Sequence, residues 1–198
     1  MSTLEVNKIT PSTGTSITLG DSGDTFTIPS GVTLTNNGSA SGFGGITEAD
    51  MFILSSSYQA ADGVNFITSN LTRPTADGFT QIGTGMTESS GVFTFPSTGL
   101  YHVSVVAAML TNNGAAAFAS VRIFATTDNS TYNTRSSAYS SSSGTNEYCS
   151  TYNHLLFNVT NTSTHKIKFG TEMSGNITVN GSDTAGTRFN FIRLGDSQ

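Results

Sequence analysis

The chain has 198 residues, room for one ordinary domain with an appendage or for two small domains. Only 11% of its residues are charged, the net charge is −5, and Ser, Thr and Asn fill 76 positions; helical bundles and coiled coils, which need salt-bridged outer faces, are excluded, and β structure with hydroxyl-rich surfaces is left. Eight basic residues, scattered and outnumbered by thirteen acidic ones, also argue against nucleic acid, whose phosphates need clustered Lys and Arg.

Residues 1–45 differ from the rest. Apolar residues recur at two-residue steps between Gly, Pro, Asp and Asn, which predicts short strands at Ser16–Leu19, Thr25–Ile28 and Val32–Thr35. Tight turns are expected between them at Gly20–Gly23 and Pro29–Gly31. The apolar content is too low for a core of its own, so the segment needs neighbouring copies or a larger assembly to pack on. Its first residues lack the basic and apolar regions of a signal peptide. No apolar run in the chain reaches membrane-spanning length, so no membrane insertion is expected. The run 36–45 (Asn-Asn-Gly-Ser-Ala-Ser-Gly-Phe-Gly-Gly) reads as a flexible linker, which places a boundary near Gly45 and a second domain at 46–198.

Beyond the boundary, strand signals come at short intervals. Residues 46–58 fit either a short capped helix or a strand, and the serines at 55–57 favour the strand, from Met51 to Ser57. Further strands are expected at Phe66–Ser69, Phe79–Ile82, Val92–Phe95, Leu155–Val159, Lys166–Glu172, Ile177–Asn180 and Phe189–Leu194. Tyr101–Leu110 and Ala116–Thr126, separated by a turn containing Asn113-Gly114, read as a hairpin. Both of its strands are apolar on both faces, so a subunit interface is the simplest cover for the second face. Thr134–Thr145, mostly Ser, Thr and Gly, reads as a long loop. About ten short strands in about 150 residues is the spacing of a sandwich or jelly roll.

The residues carry no catalytic constellation. His102, His154 and His165 fall on separate elements without metal-ligand spacing. No Gly-x-Ser-x-Gly elbow is present, the carboxylates are sparse and isolated, and Gly83-Thr84-Gly85 lacks the rest of a phosphate-binding motif. Asp21, Asp24 and Asp183 lie near glycines, where turn chemistry is the ordinary role. Cys149 is the only cysteine, which excludes an internal disulfide and reads as a small buried hydrophobe. The expectation is a protein that is not an enzyme, with no catalytic, cofactor-binding or metal-ligating residues and no cofactor.

The run 91–103 (Gly-Val-Phe-Thr-Phe-Pro-Ser-Thr-Gly-Leu-Tyr-His-Val) resembles the signature of C1q/TNF-like domains, in which a proline turn precedes a Gly-x-Tyr strand. Phe79–Gly83 is similar to the strand before it, and 188–194 (Arg-Phe-Asn-Phe-Ile-Arg-Leu) to the family's closing strand. His102 and Asn190 depart from the family pattern, which weakens any transfer of ligand specificity. The resemblance covers roughly 46–198 and implies an all-β, antiparallel jelly-roll sandwich that assembles as a homotrimer. It further implies Tyr101, Phe189 and Phe191 as trimer-interface candidates, with membership of the monomer core as the alternative for each.

The start of the chain (Leu4-Glu5-Val6-Asn7-Lys8-Ile9-Thr10-Pro11) and the run 79–101 are similar to bacteriophage virion proteins bearing C1q-like modules. That resemblance implies a location in the virion, with residues 1–45 anchoring the chain to other virion proteins. The trimeric head would then project as part of a tail fibre or other appendage. Its loops 134–145 and 178–187 would touch a host surface glycan or protein, with Tyr132, Tyr139 and Tyr148 as ligand-loop candidates. The alternative is a capsid decoration or tail-joining cement protein that reads no receptor.

Overall fold

The structure is a computed structural model, described here for residues 9–35, 45–75, 78–112, 115–184 and 186–198. The chain divides into two units, Met1–Phe43 and Gly44–Gln198.

In the first unit the described residues form tight turns and extended backbone, with no strand. The Asp24 N–H donates to the Asp21 carbonyl at 3.0 Å and the Asp21 N–H to the Asp24 carboxylate at 2.8 Å. The Val32 N–H closes the next turn on the Pro29 carbonyl at 3.2 Å. The turns therefore fall where the glycines and proline place them. The strands expected at Ser16–Leu19, Thr25–Ile28 and Val32–Thr35 do not form, and among the described residues their backbone has no ladder partner. Of the linker, only Gly45 belongs to the described residues.

The second unit is built from strands alone: β1 (Ala49–Leu54), β2 (Tyr58–Ala60), β3 (Gly63–Phe66), β4 (Leu71–Thr72), β5 (Thr87–Ser89), β6 (Val92–Thr94), β7 (Gly99–Thr111), β8 (Ala116–Thr126), β9 (Asn133–Ser142), β10 (Glu147–Val159), β11 (Lys166–Met173), β12 (Ile177–Val179) and β13 (Arg188–Gly195). They form two antiparallel sheets. In the first, β7 pairs along its whole length with β10; its other edge takes β13 and then β12, with β1 and β4 beyond β13 and β2 beyond β12. The second sheet runs β5-β6-β11-β8-β9, with β3 also on β11.

Several sequence expectations need correction. β7 and β8 have nearly the expected spans but are not a hairpin. The chain passes from one sheet to the other between them, and each strand pairs elsewhere. The apolar inner faces of both strands demand this, since they line opposite walls of one core. The expected loop 134–145 is mostly β9, an edge strand of small hydroxyl residues held by its ladder with β8 rather than by apolar burial. Of Phe66–Ser69 only Phe66 is in a strand, and Phe79–Ile82 contributes a single bridge, Ile82 to Ala49.

The core between the sheets is aromatic. Phe93, fully buried on β6, meets Phe52 edge-on at 5.1 Å and lies 5.0 Å from Phe191, 5.5 Å from Phe169 and 6.2 Å from Phe189. Such tilted and T-shaped pairs add to area burial by aligning ring edges with ring faces. Tyr101 packs on Phe95 at 4.6 Å and donates its hydroxyl proton to the Ser97 carbonyl at 3.1 Å, so its one polar atom is satisfied inside the core. Gly91 closes the β5–β6 turn at φ +80°, pressed on the backbone of Ile67 and Thr68, where a side chain would be both strained and crowded.

Candidate assembly face

Side chains alternate across a strand, so the inward row of β7 (Tyr101, Val103, Val105, Ala107, Met109) leaves Leu100, His102, Ser104, Val106, Ala108 and Leu110 pointing away from the core. Register then fixes their neighbours. Leu156, His154, Tyr152, Ser150 and Tyr148 of β10 stand opposite His102, Ser104, Val106, Ala108 and Leu110. On the other side Ile192, Asn190 and Arg188 of β13 stand opposite His102, Ser104 and Val106, with Ala49 and Met51 of β1 beyond Ile192 and Asn190.

This outer face is largely apolar and aromatic. Tyr148 is 77% exposed, Leu156 58%, Tyr152 53% and Val106 37%. The Tyr152 and His154 rings stack at 5.6 Å, and His102 lies 5.9 Å from His154, which makes a continuous ring row across two strands. Arg188 is the only residue among these facing positions that carries a fixed charge. A concavity of about 430 Å³ opens over the β1–β13–β7 part, floored by Met51, Asn190, Ser104 and His102 and walled by Phe79. A wet face of an antiparallel sheet ordinarily carries polar side chains, so this one has the composition of a contact surface.

The outer face of the second sheet is different, because the chain covers much of it itself. Phe124 of β8 is buried under Phe66 of β3 at 4.8 Å, and the Lys168 ammonium sits 5.6 Å from the Phe66 ring and 4.1 Å from the Tyr132 ring. Arg122 pairs with Glu172 and donates to the Tyr139 hydroxyl at 3.1 Å. The expectation that a subunit interface covers the second face of β8 is thus corrected: its own neighbours supply the cover.

The residues predicted to carry function are placed as follows. Tyr101, Phe189 and Phe191 are fully buried in the monomer core, so their side chains reach no subunit surface. A one-residue step in a strand reverses the face, so their neighbours in sequence point the other way. Leu100 and His102 flank Tyr101 on the outside, and Asn190 and Ile192 flank Phe191. Tyr132, Tyr139 and Tyr148 do not converge on one loop surface. Tyr132 precedes β9 beneath Lys168, Tyr139 is on β9 against Phe118, and Tyr148 is on β10 in the outer face of the first sheet. Reading the β10 strand from Leu155 misses Tyr152 and His154; the alternation Tyr148, Ser150, Tyr152, His154, Leu156 is the signal that marks them. Cys149 points inward and packs against the core, and burial pushes its thiol pKa up. Among the described residues no three His, Cys, Asp or Glu side chains gather where one metal ion could be held.

No family model matches this sequence, and no curated protein sequence matches it. Solved structures do. Eiger TNF from S. frugiperda superposes with a TM-score of 0.60 at 13% identity, over 76% of this chain and 94% of that one. Murine APRIL at pH 8.5 superposes at 0.55 and 13% identity, over 74% and 98%. The PRD1 vertex protein P5 gives 0.45 at 15% identity, over 76% and 99%. The first two establish the fold of the second unit as a TNF-like antiparallel jelly roll.

Proposed function

We propose that this chain is a homotrimeric structural protein of a bacteriophage particle, anchored through residues 1–45 and projecting its jelly-roll head to contact the host surface. The observation that carries the assembly is the outer face of β10, β7, β13 and β1, apolar, nearly free of charge and uncovered in the single chain. Three copies related by a closed rotation would bury that face on one another, with Tyr152, Leu156, Val106 and Ile192 as the apolar contacts. Threefold closure is what the C1q/TNF-like resemblance implies. The virion assignment is supported by the likeness of residues 4–11 and 79–101 to phage particle proteins. Tyr139, exposed on the edge strand β9 and far in character from the apolar assembly face, is the candidate among the three tyrosines for a host glycan or protein.

Light scattering on the full chain and on residues 45–198 tests the assembly. Three 20.6 kDa copies give about 62 kDa. A trimeric head supports the proposal, and a folded head of monomeric mass rejects it. Competition tests the host contact: purified trimer should block adsorption of the particle to its host. A trimer that binds particles and leaves adsorption untouched would replace this role with that of a capsid or tail-joining cement.

A further inference from the structure

The described part of the N-terminal unit holds preformed turns joined by extended stretches that have no backbone partner among the described residues. Ile17 and Leu19, Phe26 and Ile28, and Val32 and Leu34 stand at two-residue steps, so each pair lies on one side of its stretch. All six are exposed, from 38% for Ile28 to 70% for Phe26. The backbone bonds between described residues of 9–35 are those of the two turns, and among the described residues the N–H and C=O groups of 16–19, 25–28 and 33–35 have no ladder partner.

We infer that residues 16–35 form a self-complementary stem in which three copies of this chain supply one another's missing strand partners and bury these six apolar side chains together. This rests on the trimer proposed above. Three features select copies of the same chain over a different protein. The apolar two-step pair recurs three times, at 17/19, 26/28 and 32/34, so identical copies laid side by side present one another with matching rows. The only charged residues in 9–35 are Asp21 and Asp24, and the Asp24 carboxylate is spent on the turn, which leaves little to steer an oppositely charged partner. A trimeric head would also hold three such segments at an effective concentration of roughly millimolar, making their pairing intramolecular.

Hydrogen exchange on the purified full-length chain, with its mass measured in parallel, tests the stem. The amides of 16–19, 25–28 and 33–35 should exchange about 100-fold more slowly than in the free peptide 1–45. The double variant Phe26→Asp, Ile28→Asp should return them to free-peptide rates while the mass stays trimeric. A trimer whose wild-type stem amides exchange at free-peptide rates overturns the inference and leaves the head assembly standing. Protected stem amides in a full-length trimer whose isolated head is monomeric would support the stem and reject the head face. A monomeric full-length chain rejects both.

Discussion

The Arg73 guanidinium grips the Asp50 carboxylate with two parallel bonds, Nε to Oδ1 at 2.9 Å and Nη2 to Oδ2 at 2.7 Å. The two partners are unequally solvated: the Asp50 side chain is 2% exposed and that of Arg73 36%. The Met86 N–H also donates to Asp50 Oδ2 at 2.7 Å, and Arg73 reaches on to the Met86 carbonyl at 2.8 Å. One ion pair thereby ties β1 to the segment leading into β5. Removing the cation strands a buried carboxylate. Arg73→Ala should therefore destabilise the head by about 3 kcal/mol in urea unfolding, whereas an ordinary surface pair is worth less than about 1 kcal/mol. A loss within the surface range would show that water reaches Asp50.

Core and interface positions separate by what they change. Phe191→Ala should lower stability by about 3–5 kcal/mol through the cavity it leaves among Phe93, Phe95 and Phe169. Tyr101→Phe should cost about 1 kcal/mol for the lost bond to Ser97. Neither should alter the mass of the folded protein. Dissociation of folded Tyr101→Phe would return that residue to the interface.

Tyr152→Ser with Leu156→Asp should do the reverse. It removes two exposed side chains of the outer face and sets a charge among apolar neighbours, at almost no expense to the core. The expected result is a mass of 20.6 kDa with an unchanged far-ultraviolet spectrum. A double variant whose residues 45–198 alone stay trimeric places the subunit contact on another surface of the head.

Glu147 gives a pH dependence. Its carboxylate accepts the Ser142 hydroxyl at 2.7 Å and the N–H groups of Gly144 and Ser143 at 3.0 Å, and these bonds, that of Ser142 foremost, hold its pKa below the ordinary 4.5. A carboxylate depressed in the folded state contributes stability that is present above the unfolded pKa and lost as pH falls through the folded one. Glu147→Gln should thus melt below wild type at pH 7, with the gap closing from about pH 4.5 downward. A gap constant from pH 7 to pH 2 would mean that the charge plays no part in the β9–β10 turn.

Much of this fold can be read from the residues, and the failures have a common cause. The spans of β7, β11 and β13 are plain because buried apolar residues alternate along them. Their pairing is not, since an apolar inner row on β7 and on β8 fits a hairpin as well as two walls of one core. β9 is hidden because an edge strand of Ser, Thr and Ala buries little, and ladder bonds leave no mark on composition. The resemblance around Gly99-Leu100-Tyr101 singles out the Tyr, the most conspicuous residue of its motif, and that side chain points inward. The residues beside it, Leu100 and His102, are the ones that face outward.

The place of β13 has a consequence for synthesis. It lies between β7 and β1, so a strand near the C-terminal end of the sequence is the one that joins the middle of the first sheet. Until residues 188–195 leave the ribosome, the facing edges of β7 and β1 stay open and Phe189 and Phe191 are missing from the core. The two-sheet core therefore closes only once β13 has docked, rather than progressively along the strand order. Without β13 the outer face has no centre, because Arg188, Asn190 and Ile192 are the residues that stand beside Val106, Ser104 and His102.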